Sequence, residues 1–214
     1  MGKIKKGILG GFSGKVGTVV GANWKSISYM RSLPQKVKNP RTEAQRKQRS
    51  KFILVLGVLQ SMNDLLRTGW KLYTQKQSAI NAAMSYTLKN AITGTYPDYK
   101  IDFAKMLISR GSLTPAANGL ATAAGCNVSI SWDNNSNVGS AKPTDKALIV
   151  VLNPTKGETI TVTAGEKRST TGGQGTVFLP TNWTGDEVHS YLGFISEDGR
   201  EVANSVYLGT TNVA

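Results

Sequence analysis

The residues in this chain most able to do chemistry are cations. Lys36, Lys38, Arg41, Arg46, Lys47, Arg49 and Lys51 form a dense basic run. Lys3, Lys5, Lys6, Lys15, Lys25 and Arg31 precede it, and Glu43 is the one acid before position 52. Such a patch binds polyanions with little further machinery, because each phosphate it neutralises releases condensed counterions. Trp24 and Tyr29 stand among the cations, and rings so placed can stack on unpaired bases. The candidate nucleic-acid contacts are therefore Lys36, Lys38, Arg41, Arg46, Lys47, Arg49 and Lys51, joined by Trp24, Lys25 and Arg31. Two readings compete with this one. The run could be a solvated basic face with both rings in the core, or it could meet an acidic protein surface, including the acidic half of a neighbouring copy.

Bond-making chemistry finds less to work with. Asp186, His189 and Ser190 supply the residue types of a hydrolase triad, but strand alternation turns His189 and Ser190 to opposite faces. A surface histidine is the expectation. Gly14-Lys15 fails as a phosphate loop, since Leu9 replaces the first glycine and Val16 the final hydroxyl. Asp186-Glu187 and Glu197-Asp198 flank Gly185 and Gly199 and read as turn residues. One cysteine, Cys126, excludes an intramolecular disulfide, and one histidine leaves no Cys/His zinc cluster. Cys126 alternates onto the side of Val128 and Trp132 and is expected to be buried. The expectation is a non-enzymatic protein with no catalytic residue, metal or cofactor.

Elements must position those cations, and charge divides the chain in two. Residues 1–110 carry twenty Lys and Arg against four acids, whereas residues 111–214 carry six against nine. In the first 38 residues, Gly7, Gly10, Gly11, Gly14, Gly17 and Gly21 argue against helix and for short strands with tight turns. Ile27, Tyr29 and Arg31 alternate as a strand would. Thr42 and Gln45 match a capping box, and Phe52, Val55, Leu56, Leu59, Met62 and Leu66 follow at helical spacing. A second helix is expected from about Lys76 to Ala91. From Leu113 onward about seven short strands follow, including alternation over 126–132 and the continuous apolar run Ala147 to Leu152. The fold class expected is α+β. A basic module of Gly-rich strands plus two helices would span 1–110, and an all-β sandwich 111–214. The basic N-terminus is broken by glycines before any apolar h-region forms. A cytoplasmic location is therefore expected, and no membrane partner.

The order Trp132, Leu179-Pro180, Trp183, Tyr191 and Asp198-Gly199 resembles a fibronectin type III or related immunoglobulin-like domain. That resemblance makes Trp132 the core tryptophan of the second strand and places Tyr191 near the start of the sixth. A wider set of motifs covers the whole chain: Gly14-Lys15-Val16-Gly17, Trp24-Lys25, Tyr29-Met30-Arg31, 39–45, Tyr96-Pro97-Asp98-Tyr99, Ser109-Arg110-Gly111 and Asn204-Ser205-Val206-Tyr207. This pattern is similar to that of an uncharacterised protein family of Bacteroidota, which carries no assigned activity. Residues 39–49 also resemble a segment of phage- and prophage-associated proteins. This second similarity implies an alternative role as a self-assembling virion subunit, whose sandwich would face outward and whose location would be the virion. Nucleic acid or another polyanion remains the leading partner, with a homo-oligomer as the alternative.

Overall fold

Glycine makes the first part of the chain a sheet. In a computed structural model, which describes residues 2–4, 7, 10–24, 27–35, 40–75, 77–170 and 174–213, four antiparallel strands open the chain. They are β1 (Lys3–Ile4), β2 (Phe12–Val16), β3 (Val19–Trp24) and β4 (Ile27–Ser32), hydrogen-bonded in sequence order. Gly17, at φ 56°, turns β2 into β3. Gly21 lies under Phe12, and a Cβ there would come within 2.6 Å of the ring. Among the described residues of this sheet no apolar side chain is fully buried.

The chain divides into two compact units, Met1–Thr42 and Glu43–Ala214. That division is not the one expected near Gly111. The helices expected to join the Gly-rich strands instead belong with the second half. They are α1 (Glu43–Ser61), α2 (Asn63–Gly69) and α3 (Ala79–Asn90). The helical rhythm through Leu66 is interrupted at Met62, whose φ of −112° and ψ of 21° separate α1 from α2. At the start of α3, Ser78 accepts a hydrogen bond from the Asn81 amide at 3.3 Å, so the helix begins three residues after the expected Lys76, which lies outside the described residues. A two-stranded ribbon follows, β5 (Ile92–Thr93) with β6 (Lys100–Ile101).

Seven further strands complete the unit: β7 (Ala117–Ala124), β8 (Asn127–Asp133), β9 (Lys146–Asn153), β10 (Glu158–Val162), β11 (Gln174–Phe178), β12 (Glu187–Ile195) and β13 (Val206–Asn212). They form a four-stranded sheet, β10-β9-β12-β13, and a three-stranded sheet, β11-β8-β7. Two edges differ from expectation. Leu113 only bridges Ala203, and the first strand begins at Ala117 with a bulge before Leu120, where Asn118 takes φ 47°. Val202 only bridges Ile195, and the last strand begins at Val206.

The four-stranded sheet is covered on both faces. Ile149 and Val151 of β9, with Leu192 and Phe194 of β12, share a core with Val128, Ile130 and Trp132 of β8 and Val177 of β11. The alternate residues Val150, Leu152 and Tyr191 share a second core with Val55, Leu59, Leu65, Leu66 and Trp70 of the helical layer. This double cover is why β9 is apolar at every position from Ala147 to Leu152 rather than alternating. Each large side chain so buried contributes about 1.5–3 kcal/mol, and those contributions join the helices to the sheet.

One arginine is built into this fold. Arg168 is fully buried and pairs with buried Asp145 at 3.2 Å. It also donates to Asn135 Oδ1 at 2.6 Å and to the carbonyls of Thr114 and Pro115 at 2.8 and 3.3 Å. Its guanidinium lies 3.9 Å from the Phe194 ring centroid, and its carbonyl accepts from the Trp132 indole at 3.1 Å. Burial pulls the Arg168 pKa down, and Asp145 opposes that shift.

Candidate polyanion-binding face

Register sorts the first unit into two chemically different faces. Residues directly opposite in an antiparallel ladder share a face, and neighbours along a strand alternate. Lys15 pairs with Val20 and Val20 with Arg31, so both cations stand in one row. Lys3 pairs with Ser13, two residues from Lys15 on the same face. Ala22 pairs with Tyr29 and Trp24 with Ile27, two and four residues from Val20 on that face. One surface of the sheet therefore carries Lys3, Lys15 and Arg31 together with Tyr29 and Trp24. The rings are exposed there, Trp24 by 61% and Tyr29 by 45%.

The opposite face holds Ile4, Phe12, Val16, Val19 and Met30, floored by Gly14 and Gly21, and carries no charge among the described residues. These side chains line a shallow apolar depression with Gly2. Met30 is 70% exposed.

The basic helix spreads its charge differently. Lys47 and Lys51 sit one turn apart on the stripe that continues into buried Val55 and Leu59. Both are half-buried and both are engaged within the second unit. Lys47 Nζ lies 2.7 Å from Glu43, and Lys51 Nζ lies 4.7 Å over the Tyr99 ring. Glu43 raises the Lys47 pKa above its ordinary value through a hydrogen bond and its charge. Arg46 and Arg49, three residues apart, occupy the exposed flank. Arg41 is exposed, at φ 45°. Lys36, Lys38 and Lys25 lie outside the described residues. Lys15, Arg31, Trp24 and Tyr29 share a sheet face of the first unit, whereas the α1 cations belong to the second unit, on two flanks of one helix.

The model of a family of unknown function, DUF6266, matches residues 11–209. The chain belongs to DUF6266. No curated protein matches it.

Motifs dispersed along this DUF6266 chain meet in the second unit. Ser109 donates from Oγ to the Ala203 carbonyl at 2.9 Å, Ser205 Oγ accepts from the Ile108 amide at 3.0 Å, and Asn204 Oδ1 accepts from the Gly111 amide at 3.1 Å. Ser109-Arg110-Gly111 is thereby tied to Asn204-Ser205. His189 is not the surface residue expected. It is 8% exposed, bonds through Nδ1 to the Tyr207 hydroxyl at 2.8 Å and stacks on Phe103 at 4.0 Å. Burial pushes its pKa below the ordinary 6.5, with Glu187 opposing. The three triad residue types do not converge in this DUF6266 chain. Among the described residues Ser190 Oγ is buried without a partner, and Asp186 is held by Asn153 at 2.8 Å and Lys156 at 3.4 Å. Cys126 is only half-buried, in the turn before β8, with Sγ 3.9 Å from the Thr184 hydroxyl. Among the described residues no three His, Cys, Asp or Glu gather as a metal site, and no helix is long and apolar enough to cross a membrane.

Proposed function

We propose that this chain is a non-enzymatic binding protein whose N-terminal sheet engages a polyanion, most plausibly nucleic acid, with little sequence preference. The observation that supports this reading most is the segregation by register of Lys3, Lys15 and Arg31 with Tyr29 and Trp24 onto one exposed face. Cations on such a face neutralise phosphates, and the rings offer sequence-tolerant stacking surfaces for single-stranded bases. Arg41, Arg46 and Arg49 add further positive charge in the same chain, and Lys47 is paired with Glu43 and Lys51 lies over Tyr99. The β-strand region supports a spacer or recognition role. Trp132 on β8 and Tyr191 on β12, the second and sixth of its seven strands, support that role through the fibronectin type III resemblance. The test is purification without nuclease, then fluorescence anisotropy with a labelled single-stranded oligonucleotide. Binding at low salt that collapses at high salt is expected. A salt-insensitive complex, or none at low salt, refutes the reading.

A second reading rests on the uncharged face. Ile4, Phe12, Val16, Val19 and Met30 form an apolar surface without a buried core, and a small sheet of this kind gains stability by covering one face. A second copy of the same sheet suits it, because back-to-back pairing buries two uncharged faces and keeps both cationic faces outward. This supports self-assembly, the structural-subunit alternative. Light scattering in the absence of nucleic acid tests it: a defined oligomer that Met30→Lys dissociates is expected, and a monomer at all concentrations rules it out.

A further inference from the structure

Independently of the polyanion reading, we infer that the cavity walled by Trp70, Tyr73, Tyr86 and Arg110 is a binding site for a small phosphomonoester. The cavity measures about 330 Å³ and belongs wholly to the second unit, a size within the range of small-molecule sites. Trp70 sits where α2 ends, Tyr73 on the following 3-10 turn, and Tyr86 and Lys89 three residues apart on α3. The three rings form a connected wall, Trp70 to Tyr73 at 5.8 Å and Trp70 to Tyr86 at 5.7 Å.

Arg110 lies against that wall, its guanidinium 4.8 Å from the Tyr73 ring centroid and 5.4 Å from that of Tyr86. Stacking engages the faces of the guanidinium and leaves its edge N–H groups for an acceptor. Among the described residues that guanidinium has no ion pair or hydrogen bond, in contrast to Arg168, and no Asp or Glu lines the cavity. Lys89 supplies a second cation there. Two cations without a carboxylate favour a doubly charged oxyanion, and the rings favour a flat body attached to it.

The mount is rigid, which separates this arginine from an ordinary surface side chain. The Arg110 amide donates to the Gly69 carbonyl at 2.9 Å. Gly69 permits that approach, because a Cβ there would lie 2.6 Å from the Ile108 carbonyl. On either side, Ser109 and Gly111 are held by Ala203 and Asn204. Such pre-organisation lowers the ordering cost of binding.

The test uses the full chain, ¹⁵N-labelled, titrated with phenyl phosphate, inorganic phosphate and phenol in separate experiments. Saturable shifts are expected for the Trp70 indole N–H and for residues around 85–90 and 110 with phenyl phosphate. Inorganic phosphate should bind more weakly and phenol not measurably. Arg110→Lys and Lys89→Gln should each weaken phenyl phosphate about tenfold, the scale of one charge-assisted hydrogen bond. Lys89 is on an exposed helix end, so its variant keeps the test decisive should Arg110→Lys unfold. No saturable shift at millimolar phenyl phosphate overturns the inference. Wild-type affinity in Lys89→Gln overturns it too, as do shifts confined to residues 12–32.

Discussion

Arg31 and Arg168 show how differently the two units use positive charge. Arg31 stands exposed on a four-stranded sheet, in a row with Lys15. Arg168 is fully buried, paired with Asp145, bonded to two carbonyls and an asparagine, and stacked on Phe194. Among the described residues of the first unit, charge is presented outward and no apolar side chain is fully buried beneath it. In the second, charge holds the loops around the sheet, and losing it leaves a buried carboxylate without its cation. One residue type thus stands exposed on a sheet face in one place and serves architecture in the other, with burial and partners deciding which.

The largest effect that would sharpen this contrast is at Arg168. Arg168→Ala should cost about 3–5 kcal/mol, because it strands buried Asp145. Arg31→Ala should stay within about 0.5 kcal/mol. Chemical denaturation measures both, and equal effects would erase the distinction. Next in size is Gly21→Ala. The new Cβ would meet the Phe12 carbonyl and ring, and overpacking of this kind costs about 1–3 kcal/mol. Hydrogen exchange should accelerate in β2 to β4 and leave β9 and β12 unchanged, since the two sets lie in different compact units.

The smallest effect is a pH dependence at His189. Its folded pKa lies below 6.5 because of burial, so below that pH the unfolded chain binds more protons than the native one. The stability it contributes is fully present above about pH 6.5 and is lost as pH falls towards the folded pKa, by at most about 1.4 kcal/mol per unit. Urea midpoints between pH 7.5 and 5.5 should fall in the wild type and fall less in His189→Gln.

How much of this was legible in the sequence varies by element, for physical reasons. The strands 127–133, 158–162 and 187–195 were readable because alternation or a long apolar run marks them. The glycines of residues 7–21 marked a sheet correctly, since helices tolerate them poorly. The boundary expected near Gly111 rests on a change in charge, which is a surface property, whereas the helices that follow Thr42 share a core with the later sheet. A signal was nonetheless present: Ala147 to Leu152 never alternates, as expected for a strand covered on both faces. The two flanks of the α1 cations could be read in part, because Lys47 and Lys51 repeat the spacing of Val55 and Leu59. Neither Arg168 nor Arg110 could be distinguished from surface arginines in one dimension. Their partners, at Asp145 and Thr114 or at Tyr73 and Tyr86, are brought together only by tertiary packing.

The most direct measurement is the salt dependence of single-strand binding in two sets of charge variants. Neutralising Lys3, Lys15 and Arg31 to Gln should reduce the slope of log K against log salt by about 2, at about 0.7 per phosphate contact. Neutralising Lys47 and Lys51, which are held by Glu43 and Tyr99, should change it less. A slope unchanged by the sheet variants, or lost with the helix pair instead, would contradict a binding face on the N-terminal sheet.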